Sequence, residues 1–531
     1  MIRLMDSSIR DGGNVNDWNF GRLAIQGIIT NLVKARIDYV ELGYLKNCAY
    51  DCDKTIYNTV SEAKRNLPAE RGNTIFSLMT QVDKWDWNKL EPCDGSIRII
   101  RVSFHKTRID DGIKLIRKVK QYGYLCHCNP INIMGYEDDE LFDLIKKINE
   151  VSPDVFTIVD TFGSMSIDSL RRIDSILHHN LDKDIVVSAH LHQNLGLAFA
   201  QAIEFVNYFN AKRDVIVDAS LDGIGRIPGN LCIELVANYL NDEMNGRYLR
   251  DYLYDAIDDY ISAIKRDNPW GYEPVYALSG FYNLHRTYPE YLMNKGKLKT
   301  KDIRCILERI VPEHRVIYDE KYIEKLYKEY MDNEIDDTDS KNILKQLLDG
   351  KNIIIIAPGA SLATQKDKII EFCRMENVVS LSINFLCDFV KNNYVLFTST
   401  KRISQFSDDK GIERRLLSSN LSEYANNNDL LFSYYWLSTH GQDVISEDGV
   451  LMALHLLGEI KYSSITIAGF DSLFGAYGHY DKSMELVNSE FDRGLSIKRN
   501  VIKQYVGRGI NLLTEKGILS LDNVIEKGYI L

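Results

Sequence analysis

The chain has 531 residues, with 64 Lys and Arg against 75 Asp and Glu, for a formal net charge of −11. That length points to two to four domains, and the acidic balance excludes a general nucleic-acid binder, which needs a basic face. With 45% hydrophobic residues, 26% charged residues and 10 Pro, the composition is that of a folded chain, not a disordered one.

No apolar run approaches the ~20 residues that span a bilayer. The opening MIRLMDSSIRDGG has no basic segment leading into an apolar core, so a cytoplasmic protein is expected. The nine cysteines are an odd number, scattered and without CxxC pairs, which reads as free thiols in a reducing compartment. Cys126 and Cys128 share one strand face, where small thiols pack well.

From the N-terminus to about residue 241, eight apolar runs alternate with helix-like stretches. They are IRLMDSS, YVELGY, TIFSLM, SIRIIRVSF, YLCHCNPINI, VFTIVDTFG, DIVVSAHLH and VIVDASLDG. Runs that are apolar on both faces, each followed by a helix, predict a parallel sheet. Eight of them in this length predict a closed (β/α)8 TIM barrel.

Polar residues fall at the C-terminal ends of these runs, where a barrel keeps its chemistry. Arg10 and Asp11 follow the first run, Glu41 lies in the second, and His105 ends the fourth. Asp160 and Thr161 end the sixth, His190 and His192 the seventh, and Asn230 follows the eighth. On a strand, i and i+2 point the same way, so His190 and His192 face one space. With Asp11 as carboxylate and Asn230 as an amide oxygen, the set suits a divalent cation: Mn2+, Mg2+, Co2+ or Zn2+.

The motifs SIRDGG, AHLHQNLGLA and DASLDGIGRIPGN resemble those of the pyruvate-lyase or DRE-TIM metallolyase superfamily. The three motifs cover roughly residues 1–240, and the likeness extends to about residue 300. The RDGG opening is most similar to the 4-hydroxy-2-oxovalerate aldolase branch. The resemblance implies a divalent-metal-dependent lyase that cleaves or forms a C–C bond next to a 2-oxo acid, with Mn2+ or Mg2+ as cofactor. It implies Asp11, His190, His192 and Asn230 as metal ligands, and Arg10 as the arginine that shares enolate charge. Glu41, Asp160 and Thr161 take substrate-binding positions.

One position departs from that pattern. The aldolases place a basic histidine three residues after the metal aspartate, and here Asn14 stands there. An amide cannot take up a proton near neutral pH. His105, and His285 with Tyr288 in SGFYNLHRTYPEYL, are the catalytic candidates in its place.

Residues 242–348 read as a polar helical extension with a linker at DNEIDDTDS, and residues 349–531 as a Rossmann-like α/β domain. There the run IIIIAPG leads into a small-residue turn and a helix, a phosphate-sized anion site. IIIIAPGASL, SINFL, EDGVLMALHLLGEIKYSSITIAGFDS and GHYD resemble bacterial sialyltransferase-like and MptE-like domains. That resemblance implies Gly359, Ser361, Asp471 and His479 at a nucleotide or nucleotide-sugar site, with a product destined for surface carbohydrate. The expected partners are a small 2-oxo acid and further copies of the chain. Two alternatives stay open: an acyl-CoA-condensing synthase on the same barrel, and a non-catalytic metal-binding scaffold.

Overall fold

The computed structural model describes residues 1–332, 335–406, 411–440, 444–474, 478–480, 491–514 and 517–526. The chain divides into two compact units: residues 1–286 with 311–318, and residues 287–310 with 319–531.

The first unit is a TIM barrel. Its strands are β1 (Ile2–Asp6), β2 (Tyr39–Leu45), β3 (Ile75–Gln81), β4 (Ile99–Phe104), β5 (Leu125–Pro130), β6 (Val155–Val159), β7 (Val186–His190) and β8 (Val215–Ala219). Each pairs in parallel with its neighbour, and β1 pairs with both β8 and β2, which closes the ring. Helices α1 (Arg22–Lys34), α2 (Ile109–Gln121), α3 (Asp138–Val151), α4 (Ile167–Asn180), α5 (Ala198–Phe209) and α6 (Ile233–Glu243) cover the outside.

The apolar core lies between strands and helices, with Ile100, Val102, Phe156, Val187 and Val217 fully buried. Cys126 and Cys128 belong to this core as free thiols. The barrel interior, by contrast, holds polar side chains, because alternate residues of each strand point inward. That partition sends Arg101, His127, Asn129 and Asp218 inside, all nearly or fully buried.

One buried carboxyl on the outer layer has no hydrogen-bond partner among the described residues. Asp174 of α4 is fully buried, and neither carboxyl oxygen accepts a hydrogen bond among the described residues. Burial first, then the charge of Glu204, pushes it up to about 8. A carboxyl whose folded value lies above its unfolded value stabilises the fold at low pH. That contribution is lost as pH rises from about 4 through about 8. Asp174→Asn is therefore expected to stabilise the protein at pH 7, by up to about 4 kcal/mol, with the gain fading below pH 4. Urea unfolding at pH 4 and pH 7 measures this, and an equal effect at both values would contradict it.

The second unit is an α/β sheet flanked by helices. Its strands are β9 (Asn352–Ile356), β10 (Val378–Ile383), β11 (Tyr394–Phe397), β12 (Arg414–Ser418), β13 (Leu430–Phe432), β14 (Ser464–Ala468), β15 (Ile510–Thr514) and β16 (Gly517–Ser520). Their order is β13-β12-β11-β10-β9-β14-β15-β16, parallel except for the terminal β15–β16 pair. The order reverses between β9 and β14, the topological switch point where open α/β sheets bind ligands. Ile353 to Ile356 are completely buried on both faces of β9. Helices before the sheet pack with this unit: Asp302 accepts bonds from Thr400 (2.7 Å) and Tyr330 (2.7 Å). Among the described residues, no helix is long and apolar enough to cross a membrane.

Candidate metal centre

Asp11 sits in a single helical turn just after β1. Ser8 anchors that turn: its hydroxyl donates to Asp6 (2.6 Å) and accepts from the Leu221 N–H (2.8 Å). Thr55 donates to the Ile9 carbonyl (2.6 Å) and the Trp18 indole to the Arg10 carbonyl (2.9 Å). Trp18 explains Gly13, where a Cβ would come within 2.0 Å of the indole.

β7 delivers the two imidazoles. Nε2 of His190 lies 3.5 Å, and Nε2 of His192 3.8 Å, from Asp11 Oδ2. The rings stand nearly perpendicular, 4.9 Å apart. One donor atom from each of Asp11, His190 and His192 fits within 4.8 Å of the others, all buried. The Asp160 carbonyl lies 2.8 Å from His192 Nδ1. This fixes the proton on Nδ1 and leaves the Nε2 lone pair facing Asp11. Burial, reinforced by His190, pushes His192 down to about 3, so the ring is neutral.

Asn230 completes the cluster. Its Nδ2 donates to Asp11 Oδ2 (2.7 Å), while its Oδ1 is buried and accepts no hydrogen bond among the described residues. Two imidazole nitrogens, a carboxylate and an unsatisfied amide oxygen are a donor set that fits a divalent cation. Asn14 donates to the Asp11 carbonyl (2.9 Å) and to Asp11 Oδ1 (3.1 Å), so it steadies the carboxylate.

Behind the cluster runs a ladder of alternating charges. Arg10 donates from Nη1 to Asp11 (2.6 Å) and from Nε to Glu41 (2.7 Å). Glu41 Oε2 also accepts from Arg101 Nη1 (3.0 Å). Arg101 Nη2 reaches Asn129 (3.0 Å) and Asp218, and Asp218 lies 3.6 Å from His190 Nδ1. Despite desolvation, Arg10 holds Asp11 well below the usual carboxylate range. Arg101 therefore braces Arg10 through Glu41, and fixes Asp218 beside His190. Sequence reading missed Arg101 and Asp218. The only signal was an ionisable residue within each apolar run, and both faces of those runs are buried.

The remaining sequence-derived residues fall into separate places. The Asp160 carboxylate, pushed up to about 7 by burial, accepts from the Ser164 N–H (2.9 Å). Thr161 accepts from the Asn132 N–H (2.7 Å) and lines a pocket beside His192. His105 is half-buried at the end of β4, and burial holds it below its ordinary value. His285 is pushed down to about 4, chiefly by burial and then by the Arg226 charge, and Arg226 Nη2 lies 3.4 Å from its Nε2. Tyr288 belongs to the second unit, fully buried, its hydroxyl accepting from the Asp319 N–H (3.1 Å).

In the second unit, Gly359, Ser361, Asp471 and His479 converge at the switch point. The Gly359 N–H donates to Gly469 (3.0 Å), and Gly359 bridges to His479. Asp471 accepts from the Ser361 N–H (2.8 Å) and from its hydroxyl. Its carboxylate thus occupies the N-terminus of α7 (Leu362–Cys373), where a bound anion would sit. A Cβ on Gly359 would meet the Gly469 carbonyl at 2.3 Å, so only glycine allows this approach.

Residues 98–250 match the HMGL-like family. That match lies within the barrel and spans less than a third of the chain. The chain is 22% identical to an oxaloacetate decarboxylase of Mycobacterium tuberculosis over 59% of this chain and 91% of that one. It is 25% identical to 4-hydroxy-2-oxovalerate aldolase 2 of Salinispora arenicola, over 50% of this chain and 75% of the relative. A 2-isopropylmalate synthase of Saccharolobus solfataricus is 26% identical over 56% and 81% of the two chains. These relatives thus comprise a decarboxylase, an aldolase and a synthase.

Proposed function

We propose that the barrel is a divalent-cation-dependent carbon–carbon lyase. It acts next to the carbonyl of a 2-oxo acid, in the manner of the 4-hydroxy-2-oxovalerate aldolases. The observation that carries this reading is the meeting of Asp11, His190, His192 and Asn230 beside Arg10 at the barrel mouth. Mn2+ or Mg2+ is the proposed cation, and when bound it supplies Lewis acidity at the 2-oxo group.

The protein's own groups do the rest. Arg10 is locked by Glu41 and Asp11, so its guanidinium meets developing negative charge without reorganising. Thr161 and Asn194, on the pocket wall beside His192, orient the acid. His105 takes the proton that Asn14 cannot, being held neutral by burial at the end of β4. The α/β unit is proposed to bind a nucleotide or nucleotide-sugar at its switch point, with the product entering surface carbohydrate.

The test is pyruvate release from a panel of 4-hydroxy-2-oxo acids, with Mn2+ and with EDTA. Metal-dependent release is expected, and His105→Gln should slow it by roughly 100-fold. Bound Mn2+ without turnover of any substrate would favour the non-catalytic scaffold, a reading to which Asn14 lends weight.

A further inference from the structure

β2 changes step where it reaches the barrel mouth. Glu41 lies opposite Ser77 of β3, but Tyr44 lies opposite Met79, so three steps along β2 match two along β3. The extra residue is a β-bulge, a device that re-aims side chains at barrel rims. Gly43 permits it: its φ is +147°, and a Cβ there would come within 2.0 Å of the Thr55 carbonyl. Before the bulge, Val40 and Leu42 belong to the outer core, and Glu41 points inside to Arg101. After it, Leu45 takes the outer position. The bulge therefore turns Tyr44, which would otherwise continue the outer series, to the interior side of the strand.

There Tyr44 stands beside Arg10. The Trp18 indole, which donates to the Arg10 carbonyl, has its ring 6.5 Å from the Tyr44 ring. The Tyr44 hydroxyl donates to Gln81 at the end of β3, a long bond of 3.3 Å. Ser103 of β4 pairs in register with Gln81. His105 follows two positions on with extended backbone, so it shares the Ser103 side of that strand. Burial pushes the Tyr44 phenol up to about 12, against the opposite pull of Ser103 and Arg10, so it keeps its proton at neutral pH. Burial holds His105 below its ordinary value, so that ring is free to accept one. Two groups pushed apart in this way, on neighbouring strands of one mouth, are suited to opposite ends of a proton transfer.

We propose that Tyr44 is the acid of the lyase reaction and His105 its base, an assignment that rests on the lyase reading above. His105 takes the proton of the substrate's 4-hydroxyl, the aldehyde leaves, and the electron pair of the broken C–C bond stays with the 2-oxo acid as its enolate. Tyr44 then gives its hydroxyl proton to the enolate carbon, which becomes the methyl of pyruvate. Tyr44 is left as a phenolate beside Arg10. The proton held by His105 returns to it by way of solvent, downhill, because the phenolate is the stronger base.

The test follows methyl exchange of pyruvate in D2O with the Mn2+-loaded full-length protein, which runs the last proton transfer in both directions. Tyr44→Phe should slow exchange by roughly 100-fold or more, while calorimetry shows pyruvate bound about as tightly as before. His105→Gln should keep the exchange, because the proton it handles comes from the 4-hydroxyl. In the unaltered protein the rate should climb roughly tenfold per pH unit between about pH 7 and pH 9, as the phenolate fraction grows. A flat rate over that range overturns the assignment, even if Tyr44→Phe fails to fold. Exchange at the unaltered rate in Tyr44→Phe overturns it too and leaves the lyase reading standing. A loss of pyruvate binding as large as the loss of exchange would make Tyr44 a binding group only, and equal losses in both variants would end the division of roles. If the unaltered protein holds Mn2+ and pyruvate without exchange, the lyase reading falls and the assignment with it.

Discussion

Replacing His190 with alanine is expected to weaken Mn2+ binding by on the order of 100-fold or more. The variant should fold normally, since His190 lies at the open end of β7 and its Nδ1 makes no hydrogen bond among the described residues. Asp11→Asn should do the same, because it removes the cluster's charged oxygen and leaves Arg10 Nη1 facing a neutral amide. Titration of the metal-free protein with Mn2+ reads both effects. Unchanged affinity in either variant would mean that the cation sits elsewhere.

The second large effect is expected at Arg101. This side chain is fully buried and holds Glu41, Asn129 and Asp218 at once. Arg101→Met leaves the buried Asp218 without its cation and Glu41 with Arg10 alone, a change that costs about 3–5 kcal/mol. Urea unfolding at pH 7 should show that loss. Metal affinity should fall as well, because Asp218 no longer has a fixed place beside His190. A double replacement with Asp218→Asn should recover part of the stability, since one orphaned charge is gone. Unfolding at the wild-type midpoint would show that the ladder is not the brace described here.

Much of the barrel was legible because its strands are short, apolar and punctuated by helices with clear amphipathic spacing. The metal cluster was legible for a different reason. The i, i+2 rule puts His190 and His192 on one face, and SIRDGG and DASLDGIGRIPGN bring in Asp11 and Asn230. Arg101 and Asp218 stayed hidden because alternation cannot be read in strands buried on both faces.

In the second unit, β9, β10, β11, β13 and β14 followed from apolar runs, whereas β12 opens with Arg414 and Arg415 and lacks that signature. β15 and β16 lie outside the strand–helix alternation that was read there. The grouping of residues 287–310 with the α/β unit depends on partners such as Thr400, about a hundred positions along the chain from Asp302. Local pattern carries no trace of such a pairing.

The most direct test of the central claim is exchange of the pyruvate methyl protons in D2O, followed by NMR with the full-length protein. The account predicts exchange that requires Mn2+ or Mg2+, stops with EDTA, and is lost in His190→Ala. Metal bound at Asp11, His190 and His192 with no exchange above the uncatalysed rate would contradict pyruvate-enolate chemistry at this centre.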